Sequence, residues 1–147
     1  MSDERQFVSR AGTKLAFALE AFGLSPSGRV CADLGSNTGG FVDCLLQHGA
    51  TRVYAVERGY GVIDFRLRGD QRVVVMERTD ALHVRLPEPA DLVTIDVGWT
   101  RQRHILPVAR RLLAEEGEIL TLVKPHYEAD PGLLDGGVLP IEQLESV

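Results

Sequence analysis

Three side chains in this sequence stand where acid–base chemistry on a hydroxyl would need them. Only two lysines occur, Lys14 and Lys124, among sixteen basic residues. A guanidinium stays protonated across the physiological range, whereas a lysine in a low-dielectric site beside other cations can accept a proton. The two lysines therefore mark positions where arginine would fail, although packing length or chance would leave the same pattern. Lys124 closes the apolar run "EILTLVK" and Asp96 closes "DLVTID". If these runs are adjacent parallel strands, both side chains emerge at one rim, and Lys14, in a helix that precedes the first strand, can close over it. A carboxylate flanked by two ammonium groups orients one of them and sets its protonation, an arrangement that activates a hydroxyl nucleophile. Taken alone, Asp96 serves equally well as a loop cap.

A second group of residues suits a nucleoside. "DLGSNTGGF" offers Asp33, Gly35, Ser36, Thr38, Gly39, Gly40 and Phe41 at a strand–glycine–helix turn, with a spacing that is not the G-x-G-x-x-G of dinucleotide folds. Such a turn lets a ligand approach the backbone, and the helix amino end presents free N–H groups. Glu57 follows Gly35 by 22 positions and ends the next strand, where an acid accepts hydrogen bonds from both ribose hydroxyls. Asp80, after the third strand, can receive the exocyclic amino group of adenine. A tight turn with no ligand is the alternative. Asp33 lies inside an apolar strand, where an unpaired charge is costly, so either local N–H groups or a ligand's ammonium must satisfy it.

The elements that position these residues follow from periodicity. "TKLAFALEAFG" has apolar residues at helical spacing and a glycine stop, which places Lys14 in a first helical turn. "RVCADLG", "RVYAVE", "RVVVME", "DLVTIDVG" and "EILTLVK" read as strands. "GGFVDCLLQHG", a short segment from Asp64 to Arg68 and an Arg-rich stretch from Arg101 to Ala114 read as helices. Strands apolar at nearly every position are buried on both faces, so the expected fold is α/β, with a mostly parallel sheet and helices on both sides. Ligands bind such sheets beyond the carboxyl ends of the strands.

Bulk composition sets the bounds. A length of 147 residues with 44% hydrophobic and 25% charged residues predicts one folded domain, residues 1–147. The apolar runs are too short to span a bilayer and Met1 to Arg10 lacks an apolar h-region, so no membrane association is expected and the expected location is cytoplasmic. Cys31 and Cys44 lack metal or redox spacing and read as small buried residues, and no metal is expected. A net charge of −5 counts against a surface that grips nucleic acid everywhere. Basic residues nonetheless cluster, at Arg66, Arg68 and Arg72 and again at Arg101, Arg103, Arg110 and Arg111. Solvated helix faces give the same clusters.

In order along the chain, "SRAGTKL", "DLGSNTGGFVDCLLQHGA", "RVYAVERGYGVID", "RVVVMERTDA", "DLVTIDV" and "LVKPHYE" resemble successive blocks of the methyltransferase domain of TlyA/hemolysin A-type proteins, within the FtsJ-like ribosomal RNA 2′-O-methyltransferases. The resemblance implies a Rossmann-like methyltransferase fold that uses S-adenosyl-L-methionine, with RNA, ribosomal RNA in particular, as substrate. It also implies a Lys-Asp-Lys-Glu set acting on a ribose 2′-hydroxyl. Lys14, Asp96 and Lys124 match the first three members, with Lys124 as proton acceptor. The fourth, a glutamate, is expected past residue 147, together with the final antiparallel hairpin, and Glu142 and Glu145 on the last helix do not replace it. The S4-like RNA-binding domain usual in the family is not expected ahead of "FVSRAG". After Asp96, "DVGWTRQRH" departs from the family's D-[LV]-S-F-I-S; Trp99 there either stacks on a base or packs on a helix. A catalytically incomplete cofactor-binding module is the competing expectation. A nicotinamide-dependent oxidoreductase fits the glycine spacing poorly, and no segment supports membrane lysis.

Overall fold

Sheet strands that are apolar on both sides need cover on both sides, and the computed structural model, which describes residues 6–129, provides it. Strands β1 (Val30–Leu34), β2 (Arg52–Val56), β3 (Val73–Met76), β4 (Ala90–Ile95) and β5 (Leu113–Thr121) pair in the order β3-β2-β1-β4-β5, and every pairing is parallel. Helices α1 (Ala11–Phe22), α2 (Gly40–Gln47), α3 (Phe65–Arg68), α4 (Gln102–Leu112) and α5 (Pro125–Glu128) complete the described elements. The α/β expectation holds. The late helix foreseen from the sequence, with Glu142 and Glu145, falls outside the described residues.

Alternation along the strands divides the core into two layers. Cys31, Val53, Ala55 and Leu92 pack with Leu15 and Leu19 of α1 and with Phe41 and Leu45 of α2. Ala32, Leu34, Tyr54, Val56, Val93 and Ile95 pack with Ile105, Val108, Ala109 and Leu112 of α4. Cys31 and Cys44 are both buried and free, and burial pushes each thiol up to about 12, which leaves both inert as nucleophiles.

Two boundaries differ from the sequence reading. The Arg-rich helix stops at Leu112, not Ala114, because the chain enters the sheet at once with Leu113 beside Ala90. The register then slips, so that Leu92 pairs with Glu118, and the intervening residues form an irregularity closed by Gly117. A side chain at Gly117 would lie 3.1 Å from the carbonyl oxygens of Ala90 and Asp91. At its other end β5 stops at Thr121. Leu122 makes the last rung, its N–H donating to the Ile95 carbonyl at 2.9 Å, so Lys124 sits past the sheet as the residue before α5.

Helices α1 and α2 cross at two glycines. A Cβ on Gly12 would lie 2.8 Å from the Gly40 carbonyl oxygen, and one on Gly40 would lie 2.9 Å from the Gly12 nitrogen. The Phe7 and Ser9 side chains come nearer still, but the backbone of the facing glycine cannot yield as a flexible side chain would. Gly12→Ala is therefore expected to destabilise the fold by about 1–3 kcal/mol, the usual cost of overpacking. A urea midpoint lower than wild type at unchanged m-value is the expected result; an unchanged midpoint would show that the helices separate freely.

Candidate active site

Parallel strands deliver their carboxyl ends to one edge, and the order β3-β2-β1-β4-β5 reverses at β1, where the chain's connections part to opposite sides and leave a crevice. A cleft of about 360 Å³ lies there, within the usual range of small-molecule sites. Its lining draws on every strand end: Gly35 after β1, Glu57 and Arg58 after β2, Thr79 and Asp80 after β3, Asp96 and Val97 after β4, and Lys124 after β5.

Gly35 shapes the floor. Its φ is +84°, and a Cβ there would meet the Asp96 carbonyl oxygen at 2.5 Å, so only glycine lets the β1 turn lie against the β4 exit. The N–H groups of Gly35 and Ser36 both donate to the Val56 carbonyl at 2.9 Å, which ties the turn to β2. Glu57 then braces the loop: Oε1 accepts from the Asn37 N–H at 2.8 Å and Oε2 from the Gly59 N–H at 2.6 Å. A carboxylate has about four acceptor sites, so Glu57 keeps capacity for ligand hydroxyls. Asp80 is exposed; its Oδ1 accepts from the Leu82 N–H at 3.0 Å.

On the other side of the cleft, Lys124 Nζ and Asp96 Oδ1 are 2.8 Å apart, with side chains 29% and 22% exposed. Oδ1 itself is buried and lacks hydrogen-bond geometry to any donor, so the contact is an ion pair by distance. Tyr127 lies beneath the ammonium, 5.3 Å from Nζ to the ring centroid, and Trp99 leans on the same ring at 4.9 Å between centroids. Trp99 is 76% exposed and held at φ +56°.

The site residues foreseen from the sequence are thus distributed unevenly. Gly35, Glu57, Asp80, Asp96 and Lys124 share the cleft. Lys14 is exposed on α1 and lines a small neighbouring cavity with Phe41 and Leu122, outside the cleft lining. Ser36 is buried, its hydroxyl donating to the Asp33 carbonyl at 3.1 Å. Gly39 faces Leu67, Gly40 faces Ser9 and Gly12, and Thr38 offers its carbonyl to the Asp64 N–H. Asn37, Arg58 and Thr79 also line the cleft and were not singled out from the sequence. Asn37 carried a signal, since an asparagine in a glycine-rich turn suits the left-handed conformation it adopts at φ +52°.

A switch-point cleft of small-molecule size with acids at successive strand ends defines a Rossmann-like α/β domain. The sequence profile of the FtsJ-like methyltransferases matches residues 7–144, and the chain belongs to that family. It is 47% identical over 131 residues to YqxC of Bacillus subtilis, covering 84% of this chain and 46% of that protein. Over 148 residues it is 41% identical to TlyA of Mycobacterium tuberculosis, named a 16S/23S rRNA (cytidine-2′-O)-methyltransferase, covering 97% of this chain and 55% of TlyA. A solved structure from Streptococcus thermophilus that carries a hemolysin name superposes with a TM-score of 0.91 at 33% identity, covering 98% of this chain and 54% of that one. The chain therefore spans about half the length of the curated relatives it matches. Among the described residues no helix is long and apolar enough to cross a membrane.

Asp33 stands behind this cleft. It is fully buried at the register position of Thr94 on β4, whose hydroxyl donates to Oδ1 at 2.8 Å, while Oδ2 has no hydrogen-bond partner. Burial pushes its carboxyl from 3.8 up to about 7; the Thr94 hydrogen bond opposes the rise, and the charges of Asp96 and Glu57 add to it. Because the folded pKa is raised, the stability from a neutral Asp33 is present at acid pH and lost as pH climbs from about 4 through 7. Asp33→Asn keeps an oxygen for Thr94 and cannot ionise. Wild type is expected to lose on the order of 4 kcal/mol relative to this variant between pH 4 and pH 8, measured by denaturant unfolding. Parallel pH profiles for the two proteins would show that Asp33 titrates alike in the folded and unfolded protein.

Proposed function

We propose that this chain is the methyl-transfer domain of an S-adenosyl-L-methionine-dependent RNA methyltransferase that modifies a ribose 2′-hydroxyl of ribosomal RNA. The observation that carries the reading is the Asp96–Lys124 pair at the open edge of a nucleoside-sized cleft, in a chain whose family and relatives point to the same chemistry. The cleft fits the cofactor's parts. Glu57 would hold the ribose hydroxyls and Asp80 the adenine amino group, with Gly35 and Asp96 lining the same cleft. When bound, the cofactor supplies a sulfonium methyl that is already electrophilic.

What remains for the protein is alignment and one proton. Alignment of the two reactants accounts for roughly 7–11 kcal/mol of a barrier, and acid–base assistance for about 10²–10⁴-fold. Asp96 holds Lys124 Nζ over the edge, and Lys124, after giving up its own ammonium proton to solvent, takes as a neutral amine the proton of the acceptor hydroxyl as the oxygen is alkylated. Trp99, exposed beside Tyr127, offers a face for the acceptor base. Lys14 approaches from α1 and would join once RNA bridges the gap between its cavity and the cleft.

The place of Lys14 outside the cleft favours one other reading, a cofactor-binding module without catalysis. Tritiated methyl transfer to ribosomal subunits separates the two, since cofactor binding with no label in any RNA sinks the enzyme reading. Lys124→Ala is expected to retain cofactor affinity by calorimetry and to abolish transfer; wild-type rates in that variant would remove Lys124 from the mechanism. Trp99→Ala is expected to weaken RNA binding by about 1–3 kcal/mol with cofactor affinity unchanged, the loss of one stacked base. Equal RNA affinity in titrations would place Trp99 off the acceptor path.

A further inference from the structure

Lys124 presents a mechanical problem. The last sheet rung before it is at Leu122, Val123 is exposed, and the following Pro125 has no N–H to anchor the chain. The short helix α5 that comes next contains no buried residue. Neither sheet pairing nor core packing therefore fixes the residue that must be aimed most accurately.

The bonds that do fix it converge on Gln102, the first residue of α4. Its side-chain Oε1 accepts from the Thr121 hydroxyl at 2.8 Å, and its Nε2 donates to the Leu122 carbonyl at 3.4 Å, both just before Lys124. Its backbone N–H donates to Glu128 Oε1 at 2.8 Å, just after Lys124. No side chain of α4's own N-terminus caps that helix, so the Glu128 carboxylate serves as its cap from across the site, where the helix dipole favours an anion. Arg101 adds a bond from its guanidinium to the Ala129 carbonyl at 3.1 Å. The same α4 terminus is joined by residues 97–101 to Asp96. One helix end thus holds both partners of the ion pair, Asp96 through the chain and Lys124 through hydrogen bonds.

We propose that Glu128 and Gln102 are positioning residues that aim Lys124 at Asp96 and hence at the reacting oxygen. The proposal rests on the assignment of Lys124 and Asp96 given above. Glu128→Ala would free α5 from α4, whereas Glu128→Gln keeps an amide oxygen for the Gln102 N–H and should behave as wild type.

The chain's two lysines make a direct test available, because protein labelled with ¹³C at lysine Cε gives only two side-chain signals, and Lys14→Arg identifies them. In Glu128→Ala the Lys124 signal is expected to collapse to the averaged position of an unrestrained lysine while the Lys14 signal stays in place. Turnover should fall about ten- to a hundredfold with cofactor affinity unchanged, and Glu128→Gln should restore both readouts. A Lys124 signal unmoved in Glu128→Ala overturns the proposal. If that variant does not fold, Gln102→Ala is tested by the same signal: collapse supports the proposal and an unmoved signal overturns it. The resonance is read without substrate, so a wild-type chain that labels no RNA would defeat the functional reading while leaving the positioning question answered.

Discussion

The joint between β1 and β4 governs where every reactive group can be. β1 is the middle strand, and in the register Leu34↔Ile95 its last residue still pairs with β4 while the chains beyond part company. The Asp96 N–H closes the final rung on the Leu34 carbonyl at 3.0 Å, and Gly35 turns away in van der Waals contact with the Asp96 backbone. Any side chain at Gly35 would have to displace that backbone. The Asp96 carboxylate is thereby committed to the rim, and one rung further back the Asp33–Thr94 bond ties the same two strands inside the core. A buried acid is an expensive tie. Its placement directly behind the cleft is consistent with stability being given up beside a site where the strand ends must stay in register.

Charge at the cleft argues for the kind of ligand it takes. Glu57, Asp80 and Asp96 face Arg58 and Lys124, a balance of −1 among the formally charged groups of the lining. A dinucleotide would bring a pyrophosphate to this rim, beside three carboxylates, and the turn after β1 lacks the G-x-G-x-x-G spacing that meets it. A sulfonium cofactor is a cation and meets carboxylates instead. The Asp96–Lys124 pair belongs to the same balance. With side chains only 29% and 22% exposed, the cost of desolvation offsets much of its Coulomb gain, and its value lies in orientation.

Much of this was legible in the sequence because strand ends advertise themselves. "DLVTID" and "RVYAVE" are apolar until the residue that leaves the sheet, so Asp96 and Glu57 could be read as rim residues from the pattern alone. Lys124 was legible as a residue near the rim but not as one beyond it, since nothing in "EILTLVK" shows that pairing ends at Leu122. The glycine loop was legible as a turn and less so in detail. Gly40 reads like a ligand glycine, yet its missing side chain makes room for Gly12 of α1, a tertiary contact that no local pattern encodes. Lys14 shows the same limit, because a helix register fixes which face a residue is on but not how far that face stands from the cleft.

Gln102 and Glu128 were illegible for a different reason. Neither belongs to a periodic pattern, and their roles exist only where α4 and α5 meet. The two sides of the cleft are therefore built on different physics. The side at Gly35 and Glu57 is held by parallel rungs and close backbone contacts, which tolerate little change. The side at Lys124 hangs from a helix end through a few half-buried polar bonds, each worth about 0.5–1.5 kcal/mol or somewhat more where charged. Such a support can be altered residue by residue without disturbing the sheet. Sequence change is consequently expected to be tolerated between Val97 and Gln102 and between Val123 and Ala129, while Gly35 admits no side chain against the Asp96 backbone and Glu57 stays tied to the turn by its two hydrogen bonds.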